Sequence, residues 1–276
     1  MQASVNGSGL KRAALLNDLS CFGACSLTVA APILSAMGVE AVPLPTVLLS
    51  AHTGVEGGRV LRDLTEEMEQ TMADWQAMGL RFDCICTGFF ASARQLDLAG
   101  QFIRDFSAPD TLVLVDPVLG DNGRRFPCFD DAYQAALRRL CALADVITPN
   151  RTEAALLAGL SADAPAEALL EALPCENAVI TGVCSGGAIG YRARLGSRTL
   201  ALDTPLLPAA LKGTGDVFAA AFCGALLEGS GWEQALERGA DFCLRCAQAT
   251  LDRLPAHWYG LAFEDVLAAE RLRPLP

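Results

Sequence analysis

The sequence predicts an α/β fold on a mostly parallel central sheet with an antiparallel hairpin at one edge, and three observations carry that expectation. Short apolar runs bounded by turn signals alternate with longer stretches of helical spacing, the pattern of successive βαβ units. Hydrophobic residues make up 52% of the 276-residue chain and charged residues 19%, too much apolar surface for a disordered polypeptide. Near the C-terminal third, Gly196-Ser197 joins two strand-like runs, the mark of a hairpin.

In chain order, strands are expected at residues 13–16, 42–49, 84–87, 112–115, 146–148 and 178–180, each a short apolar or β-branched run. Helices are expected at 27–37 before Gly38, at 65–78 up to Gly79, at 131–142, and at 151–157 with Gly159 as the stop. The hairpin takes residues 188–195 and 198–202, and three further helices close the chain. No Pro/Gly/Ser-rich linker, charge run or fixed-period repeat divides the sequence, so one domain over residues 1–276 is expected, with residues 1–11 loosely ordered.

Composition narrows the functional classes. Thirty-two acidic against twenty-one basic residues leave a formal charge of −11, which repels phosphate backbones and anionic membranes and favours small molecules and metal ions as partners. The apolar stretch 217–227 falls short of the roughly 20 residues of a bilayer helix. Lys11 and Arg12 are followed by only four apolar residues, too few for a secretory signal. Eleven cysteines, an odd number scattered from Cys21 to Cys246, read as reduced thiols in the cytoplasm.

Three segments could carry chemistry. Lys212-Gly213-Thr214-Gly215-Asp216 precedes an apolar helical run, and its glycines permit a tight turn whose amides, with the helix dipole behind them, suit a phosphate. A carboxylate there fits a base meeting a substrate hydroxyl during phosphoryl transfer, or else Asp216 merely stabilises the helix start. In the segment from Asp145 to Glu153, a strand runs into a helix and places Asn150 and Glu153 three apart, where they either serve a hard cation or form an N-cap and capping box. In Asp116-Pro117-Val118-Leu119-Gly120-Asp121, a buried strand delivers Asp116 at its carboxyl end, where open α/β sheets bind ligands, and Asp121-Asn122-Gly123 is equally turn chemistry. All three junctions fall on one rim of the expected sheet, and neither a P-loop nor a Rossmann glycine fingerprint is present.

Together, Gly213-Thr214-Gly215-Asp216, Asn150 with Glu153, and Asp116-Pro117-Val118 resemble the signatures of the ribokinase-like superfamily, a three-layer α/β/α fold that phosphorylates hydroxymethyl groups with MgATP. Within it, Leu48-Leu49-Ser50-Ala51-His52-Thr53-Gly54 and the segment from Asp116 to Asp121 are similar to the pyridoxal kinases, over about residues 15–229. The resemblance implies Asp216 as base for the 5′-hydroxymethyl group of a vitamin B6 vitamer, and the Gly213, Thr214 and Gly215 amides as anion hole. Asp116, Asn150 and Glu153 would serve ATP and Mg2+, partly through water, with Asp116 and Glu153 as the metal residues. Asp121, Thr148, Thr181 and Gly182 would line the nucleotide site. Asp18, Val47 and Thr53 would hold the pyridine ring, with His52 and Phe89 beside it, and residues 122–126 would form a flap over ATP. The resemblance also suggests a homodimer and leaves room for a monovalent cation.

The chain departs from that family pattern at several positions. Phe89 stands where a tyrosine is usual and is followed by Phe90-Ala91 instead of Leu-Gly, Gly182 replaces a serine, and Asp18 replaces a serine near the ring. An acidic Asp18 would favour a protonated pyridine or a cationic amine, hence pyridoxamine or pyridoxine over pyridoxal. A hydroxymethylpyrimidine kinase sharing fold and catalytic apparatus is the alternative, and a sugar or nucleoside kinase is disfavoured by the lack of a lid insertion. A non-catalytic vitamer-binding paralogue is a further alternative. Cys84 with Cys86, and Cys243 with Cys246, share faces of a strand and a helix and read as core rather than zinc ligands, while His257-Trp258-Tyr259 reads as a packing cluster.

Overall fold

The computed structural model describes residues 9–52 and 60–271. Its centre is a nine-stranded sheet. The strands are β1 (Arg12–Ser20), β2 (Glu40–Leu49), β3 (Leu61–Asp63), β4 (Phe82–Thr87), β5 (Ser107–Val115), β8 (Val146–Ile147), β9 (Ala178–Ser185), β10 (Ala188–Leu195) and β11 (Arg198–Pro205). They lie in the order β11-β10-β9-β8-β5-β4-β1-β2-β3. Neighbours from β9 to β2 run parallel, while β10 and β11 at one edge and β3 at the other pair antiparallel.

The central strands are buried on both faces, which is why they read as continuous apolar runs. In β1, Ala14 and Leu16 join one core while Ala13 and Leu15 join the other, and Ile85 and Cys84 of β4 divide the same way. The first core is roofed by α2 (Thr65–Ala77), α3 (Ala93–Phe106), α4 (Asp131–Cys141), α5 (Arg151–Ala158) and α6 (Ala166–Ala172). Against the second lie α1 (Leu27–Ala36), α7 (Thr214–Leu227), α8 (Trp232–Leu251) and α9 (Phe263–Arg271). The result is the expected three-layer arrangement.

Several elements go beyond the sequence reading. The helix α3 has its spacing in plain view, with Leu96, Ala99, Phe102, Ile103 and Phe106 buried and Ser92 capping it by accepting from the Gln95 amide. The short α6 is also new. In contrast, β3 has three exposed residues and exists through its pairing with β2. The β9 strand runs on to Ser185, so the edge carries a three-stranded antiparallel ribbon rather than a lone hairpin. A separate two-stranded ribbon, β6 (Gly120–Asp121) and β7 (Arg124–Arg125), occupies the segment expected to be a flap. At its tip Asn122 and Gly123 both have positive φ, 52° and 75°, as a tight Asn-Gly hairpin turn requires. Among the described residues no helix is long and apolar enough to cross a membrane.

Candidate active site

The carboxyl ends of β1, β4, β5, β8 and β9 share one rim, because parallel strands all point the same way. From this rim Asp116 follows β5, Thr148 follows β8 and Thr181 lies in β9. The Thr148 hydroxyl donates to Asp116 at 3.3 Å, and the Thr181 amide donates to Pro149 O at 2.9 Å, tying the β8 end to β9.

The helix α7 arrives at the same place from the other layer. Gly213 is its N-cap, with φ 78°, and a β-carbon there would sit 2.6 Å from Ala24 O, so glycine is required both by conformation and by space. No side chain caps the helix, so the first-turn amides remain available to an anion. A β-carbon on Gly215 would stand 3.9 Å from Asp116 Oδ2, which places the turn directly against the end of β5.

Asp216, in the first turn, keeps a partly open edge to solvent. Burial pushes its carboxyl up to about 7; the Ser26 amide and the Asn17 side chain hydrogen-bond it in opposition, while the charge of Asp18 adds to the rise. Asp116 is held well above the ordinary carboxylate range by burial and by the neighbouring Glu153 and Asp216 carboxylates, with Thr148 opposing. Asp116 therefore feels the charge of both Glu153 and Asp216, a repulsion that a hard divalent cation would relieve, although the oxygens of the three carboxylates do not all lie within 4.8 Å of one another.

Asn150 and Glu153 form a full capping box: Asn150 Oδ1 accepts from the Glu153 amide at 3.0 Å and Glu153 Oε2 accepts from the Asn150 amide at 2.8 Å. Glu153 Oε1 also accepts from the Leu119 amide at 3.0 Å, and Asn150 Nδ2 donates to Gly120 O at 2.8 Å. Asn150 thus precedes the helix instead of sharing a helical face with Glu153, and the pair welds α5 to the segment after β5. Burial pushes the Glu153 carboxyl up to about 7 against the pull of these amides. With both oxygens already accepting, contact between Glu153 and a metal through water suits the site better than direct ligation.

The remaining residues of the predicted site are distributed unevenly. Asp121 is exposed and accepts from the amide and side chain of Asn122, so its visible role is in the turn, which the Gly123 amide anchors to Thr152 Oγ1 at 2.9 Å. Gly182, with φ 70°, is exposed beside Thr181. Asp18 is buried, accepts from Ser20 Oγ at 2.7 Å, and is raised by burial, while Ser26 and the His52 charge act in the other direction. His52 is buried against Gly23, whose β-carbon would collide with the ring at 2.3 Å. Phe89 is half-buried and meets Phe129 with ring centroids 5.8 Å apart. Val47, in β2, is fully buried. Thr53 lies outside the described residues.

Sequence reasoning missed the residues that hold this site together. Asn17 Oδ1 accepts from the Phe89 amide at 2.7 Å and from the Asp18 amide at 2.9 Å, while the side chain also reaches Asp216. Gly88 lies flat on that side chain, where a β-carbon would come within 2.3 Å of Asn17 Nδ2. Gln95 Oε1 takes the Ala91 amide at 2.8 Å and its Nε2 reaches Thr46 O at 2.8 Å, while the Thr46 hydroxyl donates to Phe89 O at 2.7 Å, fixing the segment after β4. Ser26 adopts φ 53°, ψ −130°, a left-handed region disfavoured for serine, and its amide meets Asp216. The Cys25 thiol is pushed up to about 12 by burial and the charges of Asp216 and Asp18, and so stays neutral. The packing cluster of His257, Trp258 and Tyr259 extends to this rim, with Tyr259 4.8 Å from Phe22 and Lys212 over the Trp258 ring at 5.9 Å.

The phosphomethylpyrimidine kinase family matches residues 33–258. A pyridoxine/pyridoxal/pyridoxamine kinase of Bordetella avium is 31% identical over 246 residues, 83% of this chain and 82% of that protein. A Bacteroides thetaiotaomicron protein, provisionally named a phosphomethylpyrimidine kinase and crystallised with pyridoxal, superposes with a TM-score of 0.88 at 38% identity, over 95% of this chain and 96% of its own. Pyridoxal kinase from Lactobacillus plantarum gives a TM-score of 0.88 at 33% identity, over 94% and 96% of the two chains. The chain has the ribokinase-like fold and belongs to the phosphomethylpyrimidine kinase family, within its pyridoxal kinase branch.

Proposed function

We propose that this chain transfers the γ-phosphoryl group of ATP to the 5′-hydroxymethyl group of a vitamin B6 vitamer, with residues 1–276 acting as one kinase domain. The observation that carries the reading is the meeting of Asp216, its carboxyl raised to about 7, with uncapped α7 amides and with Asp116 across Gly215. A base poised near neutrality can take the hydroxyl proton as the new P–O bond forms. The amides of Gly213, Thr214 and Gly215 would receive charge on the transferring phosphoryl group, and the dipole of α7 adds to them.

Asp116, and Glu153 through water, would hold Mg2+, which when bound supplies charge neutralisation on the phosphates. Asn150, Thr148, Thr181 and Gly182 would line the nucleotide site, with the Asp121–Arg124 ribbon above it. Asp18, Val47, His52, Thr53 and Phe89 would bound the vitamer, and Phe89 offers an aromatic face without a phenolic hydroxyl. Eleven free cysteines suit the reducing cytoplasm. The exposed β3 edge, with Val60 66% and Leu61 57% exposed, suits pairing with a second copy in a homodimer.

A coupled ADP-release assay over pyridoxal, pyridoxamine, pyridoxine and hydroxymethylpyrimidine tests this reading. Vitamer-dependent ADP release that exceeds the pyrimidine rate is expected. Faster turnover of the pyrimidine would transfer the chain to the alternative substrate, and vitamer binding without ADP release would make it a binding protein.

A further inference from the structure

Away from the nucleotide site, three cysteines that the kinase chemistry does not use meet in the second core. Cys84 and Cys86 project from one face of β4, as residues two apart on a strand must, and Cys223 projects from the facing side of α7. Their sulfurs form a triangle of 3.3 Å (Cys86–Cys223), 3.4 Å (Cys84–Cys223) and 3.5 Å (Cys84–Cys86). Cys84 and Cys223 are fully buried and Cys86 is half-buried. Among the described residues no fourth histidine, cysteine or carboxylate joins them.

Geometry and charge select what such a triangle can hold. A tetrahedral zinc–thiolate centre with bonds of about 2.3 Å spreads its sulfurs to roughly 3.8 Å, wider than every edge here, and calls for a fourth ligand. A pyramidal centre with a lone pair compresses its bond angles and brings three sulfurs closer together. Three thiolates around a divalent or monovalent ion would also leave net negative charge in an apolar core, at high cost. A trivalent ion with three thiolates is neutral.

We propose that Cys84, Cys86 and Cys223 form a binding site for a trivalent thiophilic ion of the arsenite class. Binding exchanges oxygen for sulfur without redox change: three As–O bonds break, three As–S bonds form, and the three thiol protons leave with the three hydroxides as water. Cys223 lies seven residues after Asp216, two helical turns and roughly 10 Å along the same face of α7, so an occupied site would brace the helix that begins at the phosphate turn.

The test uses the intact chain with arsenite as the probe, free of added thiols. One tightly held arsenic per chain is expected, with three sulfur neighbours by X-ray absorption and a rise in Tm. Cys21→Ser and Cys128→Ser, at exposed positions, should retain all three properties, while Cys223→Ala and Cys86→Ser should lose the bound arsenic. Should Cys223→Ala fail to fold, the milder Cys86→Ser at the half-buried corner and the sulfur count in the unaltered chain decide the matter. Fewer than three sulfurs around arsenic, or full retention in Cys86→Ser, would overturn the site. Tighter binding of Zn2+ or Cu(I) to the same trio would overturn its trivalent character.

Discussion

Asn17 joins two halves of the candidate site: its Oδ1 accepts the Phe89 main-chain amide at 2.7 Å, and its side-chain amide group hydrogen-bonds Asp216. One side chain in the carboxyl half of β1 thereby sets both the segment after β4 and the charge state of the proposed base. Asn17→Ala removes the hydrogen bond that lowers the Asp216 titration and leaves the Phe89 amide unsatisfied, a loss of about 1–3 kcal/mol. The acid limb of kcat/KM should move upward in pH, and chemical denaturation should show the stability loss. Gly88→Ala should reproduce the kinetic shift by displacing the Asn17 side chain; an unchanged pH profile in both variants would dissociate Asn17 from Asp216.

Asp216→Asn should lower kcat by roughly 10²–10⁴-fold, the usual contribution of a general base, with little change in the KM for ATP. In the unaltered chain kcat/KM should fall as pH drops below about 7, where the Asp216 carboxyl gains its proton. The stability effect has the opposite sense. The folded carboxyl titrates above its unfolded value of about 3.9, so its ionisation costs stability progressively from pH ~4 and in full above pH ~7. Asp216→Asn should therefore raise Tm at pH 8, by about 2–4 °C per kcal/mol recovered, and leave it unchanged at pH 4.

Asp116 and Glu153 are both acidic and near each other, yet they should respond differently. Asp116→Asn relieves repulsion from Glu153 and Asp216 and so should hold or raise Tm, while the Mg2+ concentration for half-maximal activity rises by roughly 10–100-fold. Glu153→Ala strands the Leu119 and Asn150 amides and removes half of the capping box, for a loss of about 1–3 kcal/mol by denaturant titration. Equal stability loss in the two variants would contradict this division.

Asp18→Ser tests the specificity expectation. Asp18 is buried beside Ser20, Ser26 and His52, with a carboxyl raised by burial, and still presents an acceptor that serine cannot match in charge. The ratio of kcat/KM for pyridoxamine over pyridoxal should fall in Asp18→Ser. An unchanged ranking of the three vitamers would remove Asp18 from specificity.

Much of this protein is decided by local sequence. The strand cores at 13–16, 84–87 and 112–115 alternate between two buried faces, and Gly38, Gly79 and Gly159 adopt the left-handed conformations that end helices. The Gly213–Asp216 turn and the Asn150–Glu153 box are equally local, since a glycine cap and a capping box are built within four residues. What only tertiary structure decided are contacts between residues distant in the chain. Asn17 meets Phe89 and Asp216, Gly215 meets Asp116, Val47 is sealed inside, and Cys223 completes a triangle with Cys84 and Cys86. Periodicity reports which face of an element is apolar, whereas the choice of partner across that face depends on strand order and on the register of α7 over β4, which are properties of the packed sheet as a whole.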